Sequence, residues 1–179
     1  ISKIDSKIKH FILKSIQYDM KIINIHQRII RQPLEEIGQL LSTLSTKEDK
    51  IMPINKWSRM RLDNHLNIGS KGGHGPIRYE VVDYQENKNV KFKFKEPKGF
   101  DGFHEFYIQS VDNHHTKILH TINMKANFLG TIQWYLAIKW LHDALLEDGL
   151  DGIENYFLPL SQHKKTKWNP WVIILRKLF

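Results

Sequence analysis

The sequence predicts one α+β domain in which a curved antiparallel β-sheet wraps around a long C-terminal α-helix and encloses an internal cavity. Three observations lead to it. β-rich runs follow one another at hairpin spacing from residue 77 to 128, a helical pattern then runs from 131 to 157, and the apolar residues of each gather on one face. At 179 residues the chain has the size of a single domain and can bury a core.

Taken in order, residues 1–18 place Ile1, Ile4, Ile8, Phe11, Ile12 and Ile16 at helical spacing among Lys3, Lys7, Lys9 and Lys14. Residues 1–20 are therefore expected to be an amphipathic N-terminal extension, packed on the domain or on another surface. Residues 21–31 (KIINIHQRIIR) are β-branched and partly alternating, and read as a first strand with Asn24, His26 and Arg28 toward solvent. Pro33 opens a short helix with Leu34, Ile37, Leu40, Leu41 and Leu44 on one side. From Lys47 to Gly75 the pattern weakens to loop, and the glycines of SKGGHGP (70–76) read as a turn needing positive φ. That segment lacks the GxxxxGK[ST] spacing of a phosphate loop. The runs 77–84, 90–95, 103–111 and 117–128 then form an antiparallel meander. In the second, Val90, Phe92 and Phe94 alternate with Lys91, Lys93 and Lys95, which fixes the inner face. Ile132, Leu136, Trp140, Leu141, Leu145, Ile153 and Tyr156 give the long helix its apolar positions. A bent sheet holding one helix seldom fills its inside, and such cavities are default ligand sites. The domain is accordingly placed at 21–158, followed by a basic, Trp-containing tail at 159–179.

The sequence contains no cysteine, which removes disulfides, thiolate nucleophiles and Cys-ligated zinc and fits a reducing, cytoplasmic setting. No uninterrupted apolar run is long enough to span a bilayer, and residues 1–20 lack the features of a secretory signal. The net charge of +8 is uneven. Residues 1–21 carry five Lys against two Asp, residues 159–179 carry four Lys and one Arg with no acid, and residues 22–158 carry 17 basic and 17 acidic side chains. The neutral centre argues against nucleic acid as a partner, because phosphate binding needs a basic face. The ends are what an anionic membrane surface attracts, with residues 161–179 as the candidate contact at the inner membrane surface. The same tail also has the pattern of a final helix packed on its own domain with snorkelling Lys and Arg.

The segments GGHGPIRYEVVDY (72–84), EPKGFDGFHEF (96–106), TKILHTI (116–122) and WLHDALLEDGLDGIENYF (140–157) carry a resemblance. Together they look like an uncharacterised bacterial branch of the START-like superfamily, also called the polyketide cyclase and lipid transport (SRPBCC, helix-grip) superfamily. The resemblance runs from about Ile22 to Phe157 and implies the helix-grip fold. Because the superfamily includes lipid and hormone carriers, polyketide cyclases and oxygenase domains, fold transfers better than function. No catalytic motif of the superfamily is matched.

The histidines carry the candidate chemistry. His104 shares a strand face with Phe106 and Ile108, and His120 shares one with Ile118, Ile122 and Met124, so both are expected to point inward and to need a hydrogen-bond partner, a ligand or a water. The candidate ligand-binding residues are His104 and His120 as polar anchors, with Phe92, Phe94, Phe106, Ile118, Ile122, Met124, Trp140 and Leu141 as the apolar lining. His142 could face the same space. His74, Phe100 and Phe103 are candidates for the cavity mouth. Arg78 and Glu80 are expected to face solvent. No HExxH or comparable spacing supports a metal site, and no cofactor is expected. Three functions fit. The first is binding or transport of a small hydrophobic ligand in the sheet–helix cavity. The second is a cyclase- or dehydratase-type enzyme with a cavity His as acid or base, and the third is a peripheral membrane or scaffold protein acting through its basic termini.

Overall fold

The computed structural model describes residues 19–178; the expected N-terminal helix at 1–18 lies outside them. Seven antiparallel strands form one sheet in the order β1-β7-β6-β5-β4-β3-β2. They are β1 (Met20–Ile30), β2 (Arg61–Leu62), β3 (Lys71–His74), β4 (Ile77–Gln85), β5 (Asn89–Glu96), β6 (Phe100–Ser110) and β7 (Thr116–Ala126). Helix α1 (Leu34–Ser42) follows β1. After β7, α2 (Phe128–Gln133), one π-helical turn (Trp134–Ile138) and α3 (Lys139–Tyr156) run on without a break, and α4 (Pro170–Leu178) ends the chain. The start of α2 is fixed by Asn127, whose side-chain oxygen accepts from the Gly130 N–H at 2.8 Å. Register shifts at Arg78/Tyr79 and Val81/Asp83 interrupt the β4–β5 pair, the kind of irregularity that bends and twists a strand locally.

Inward residues of β4 to β7 follow the expected alternation: Tyr79, Val81, Val90, Phe92, Phe106, Ile108, Ile118 and Ile122 are all buried. All of these but Ile122 belong to one core with Leu145, Leu146, Leu150 and Ile153 of α3 and Ile37, Leu40 and Leu41 of α1. A second cluster joins Phe94, Phe100, Ile122, Met124 and Trp134 at the start of the long helix. The loop from α1 to β2 is held by the buried Asp49 carboxylate, which accepts from the backbone N–H of Ser45, Ile51 and Met52 at 2.9–3.0 Å.

Three expectations are corrected. On β1 the faces are reversed: Asn24, His26 and Arg28 turn inward, while Ile23, Ile25 and Ile29 are more than half exposed. The reason is the opposing helix, which presents Asp143, Glu147, Asp151 and Glu154 to that face. The glycine-rich segment is not only a turn: Lys71–His74 form β3. A Cβ at Gly72 would stand 1.9 Å from the Arg61 carbonyl oxygen and one at Gly73 1.9 Å from that of Ile77, so both glycines permit close backbone approach, and within the segment only Gly75 has a positive φ, +50°. The long helix is apolar on two sides, and Ile132, Leu136 and Trp140 belong to the exposed one. Periodicity could not rank the two stripes; the sheet selects the one carrying Trp134, Ile138, Leu141 and Leu145. No helix among the described residues is long and apolar enough to cross a membrane.

Candidate functional site

Between sheet and helix lies a cavity of about 300 Å³. Its walls are mainly apolar, with Phe94, Phe100, Phe106, Ile122, Trp134 and Leu145 among them, and four histidines, His74, His104, His120 and His142, interrupt that lining.

His104 and His120 arise on adjacent strands, where Phe106 faces His120 and His104 faces Ile122 in the β6–β7 register. The diagonal offset brings His104 Nδ1 within 3.3 Å of His120 Nε2. Phe92 stacks on the His104 ring at 4.7 Å, Tyr79 meets it edge-on at 4.8 Å, and Phe106 meets His120 at 4.5 Å. Burial, reinforced by neighbouring histidines, pushes both rings well below the usual imidazole range, so they are neutral. Two neutral imidazoles joined by one hydrogen bond have only two arrangements, and each leaves one free N–H and one free lone pair. Those free positions are His104 Nε2 and His120 Nδ1, both buried and without a partner. The pair therefore offers one donor and one acceptor whichever way its proton sits. At the β3 end of the cavity, His74 Nδ1 lies 3.1 Å from the Tyr79 hydroxyl. Burial, aided by the charges of His142 and Arg78, holds His74 at about 4.

A second polar centre lies along the β1–α3 seam. His26 Nδ1 is 2.8 Å from Glu147 Oε1 and His26 Nε2 is 3.0 Å from Asp143 Oδ1. Arg28 reaches Glu147, Asp151 and Glu154 at 2.9–3.1 Å, and Asn24 Nδ2 donates to Asp143 at 2.9 Å. Burial pulls the His26 pKa down, but the two carboxylates outweigh it and leave it raised. Burial opposes ionisation of Asp143, yet His142, His26, Lys139 and Asn24 together hold it far below the carboxylate range. The centres are contiguous, because the His142 ring lies 5.0 Å from that of His120 and 5.8 Å from that of His26.

The tail completes the cavity wall. Buried Asp148 on α3 accepts from Trp57 Nε1 at 2.8 Å, Trp168 Nε1 at 2.9 Å and Lys56 Nζ at 2.6 Å. The Arg176 guanidinium of α4 lies 4.4 Å from the Trp57 ring and 4.2 Å from that of Trp168, and it donates to the Lys56 carbonyl. Val172 and Leu175 are buried beside it. This layer brings Lys56, Trp57 and Arg176 into the lining.

Of the residues expected to hold a ligand, His104, His120, Phe94, Phe106, Ile122 and Leu141 meet around the cavity. Phe92, Ile118 and Met124 are fully buried one layer behind it, and Trp140 is on the outer side of the helix with its Nε1 on the Tyr135 carbonyl. His74 and Phe100 line the cavity, whereas Phe103 stands on the outer sheet face, one residue out of phase with His104, beneath the Lys91 ammonium. Arg78 is exposed, as expected. Sequence reasoning missed Trp57, Met60, Trp134 and Arg176. Trp57 and Met60 come from a loop without periodicity, and Trp134 lies on a helical stripe that periodicity alone does not rank above the exposed one.

No protein-family model matches the chain, and no curated protein matches it in sequence. Solved structures do match in fold. A Thermobifida fusca protein solved by NMR superposes with a TM-score of 0.61 over 81% of this chain and 99% of its own, at 12% identity. Norcoclaurine synthase from Thalictrum flavum gives 0.60 over 81% and 90%, at 10% identity. Its complex with dopamine and hydroxybenzaldehyde gives 0.60 over 87% and 94%, at 11% identity. At such identities the likeness is one of fold: a curved antiparallel sheet gripping a long C-terminal helix.

Proposed function

We propose that this helix-grip chain binds a small molecule with an apolar body and a hydroxyl-like group, the body in the sheet–helix cavity and the group on His104 and His120. The observation that carries this reading is the pair of buried, unpartnered imidazole nitrogens in an otherwise largely apolar wall. An unpaired buried polar atom costs roughly 1–3 kcal/mol, and a ligand that donates to one nitrogen and accepts from the other removes that cost. Burial of apolar surface supplies the rest of the affinity, and the volume of about 300 Å³ suits a compact one- or two-ring body. The complex of norcoclaurine synthase with dopamine and hydroxybenzaldehyde supports small-molecule binding within this fold.

A matched pair of probes tests the reading. 2-Naphthol and 2-methylnaphthalene have nearly the same shape, and only the first can pair with the imidazoles. The wild-type chain is expected to bind 2-naphthol about tenfold more tightly, the equivalent of one net hydrogen bond of about 1.4 kcal/mol. His120→Leu is expected to erase the preference while keeping affinity for 2-methylnaphthalene. Equal affinity of the wild type for both would sink the role given to the histidine pair.

A further inference from the structure

We propose that the β1–α3 seam binds a divalent transition-metal ion of the zinc and cobalt class, held by His26 Nε2, His142 Nδ1 and the Asp143 carboxylate, with the Asn24 amide oxygen as fourth donor. Ligating atoms of His26, His142 and Asp143 all lie within 4.8 Å of one another. Two of the separations fit a common metal: His26 Nε2 to Asp143 Oδ1 is 3.0 Å, and His142 Nδ1 to Asp143 Oδ1 is 3.8 Å. Bonds of about 2.0 Å to tetrahedral zinc set neighbouring donors roughly 3.3 Å apart, so shifts of about half an ångström would bring these two pairs to that spacing.

A second observation is independent of that spacing. Of the few buried side-chain atoms without a hydrogen-bond partner among the described residues, two stand here: His142 Nδ1 and Asn24 Oδ1. The Asn24 amide already donates to Asp143, so its oxygen is the atom left over. Both leftovers have lone pairs suited to a cation.

The surroundings match what a metal-ligating histidine requires. His26 Nδ1 faces Glu147, which is itself held by Arg28, and this carboxylate–histidine arrangement orients Nε2 toward the ion. Four carboxylates, Asp143, Glu147, Asp151 and Glu154, meet Arg28, Lys139 and Lys164 here, and with His26 neutral the excess negative charge is one that a dication offsets. Two imidazoles with a carboxylate and an amide oxygen favour zinc, cobalt or nickel over the harder magnesium and calcium. The donors come from opposite ends of the sequence, which is why no ligand spacing announces the site. The site adjoins the cavity through His142, which lines both, but none of its donors belongs to the His104–His120 pair.

The test titrates Co²⁺ into the metal-stripped, untagged full chain and reads the visible d–d spectrum. One equivalent with the strong bands of a four-coordinate N/O site is expected. His142→Ala is expected to weaken binding by more than about a hundredfold, beyond the 10–100-fold typical of an outer-shell change. Asn24→Leu, whose fold is checked by circular dichroism, should weaken it by at least about tenfold. A variant lacking the exposed pair, His114→Ala with His115→Ala, should keep the full equivalent. Absence of binding, a weak six-coordinate spectrum, retention in His142→Ala, or loss in the His114/His115 variant would each overturn the proposal.

Discussion

A histidine ring enclosed by Phe92, Phe94 and Tyr79 cannot take up a proton without leaving a charge in an apolar shell, and this governs how the cavity answers to acid. His74 and His104 are both depressed by burial, His74 to about 4 and His104 well below the ordinary value. Below pH 6.5 the unfolded chain takes up protons at these rings that the folded chain refuses. Their contribution to stability is therefore complete above 6.5 and is lost as the pH falls toward the folded values. In urea unfolding, His104→Gln should lessen the loss of stability between pH 6.5 and 4, and long-range ¹H–¹⁵N spectra should show His74 still neutral at pH 5.5. A His74 titrating near 6.5 would contradict the burial described here. The inward direction of His104 and His120 was legible from their apolar neighbours at alternate positions. That of His26 was not: Ile23, Ile25 and Ile29 mark the opposite face as the apolar one, and only four acids on a distant helix reverse that reading.

Among elements, the α3–α4 clamp is the most exposed to test. Asp148 ties the Trp57 loop and the Trp168 segment to the long helix with one carboxylate, which accepts from both indoles. Asp148→Ala removes the acceptor and strands two indole N–H groups, each costing roughly 1–3 kcal/mol when left unpaired, so a loss of roughly 3 kcal/mol is expected in urea unfolding. A loss under about 1 kcal/mol would show that the clamp contributes little. The β4–β7 meander was readable because lysines alternate with aromatics along it. The two short strands β2 and β3 were not, since Gly72 and Gly73 carry no pattern and are demanded by close approach of neighbouring backbone. The long helix was readable as a helix, but with Phe128, Leu129, Ile132 and Leu136 exposed on one side and Trp134 buried on the other, its inner stripe is defined by the sheet alone.

At the scale of the whole molecule, the sheet and helix make a container and the loop and tail close it. The fold was legible because it follows from the order of elements and from one concave apolar face needing cover. The site was legible only in part, since Lys56, Trp57 and Arg176 reach the wall from segments without periodicity and meet through tertiary contacts far apart in sequence. The central claim is that this cavity holds a small apolar-bodied molecule. Native mass spectrometry of the purified chain, intact and then denatured, tests it most directly. The account predicts a stoichiometric adduct of discrete mass that is lost on denaturation and absent from a variant with Ile122→Trp filling the cavity; an adduct that persists unchanged in that variant would contradict it.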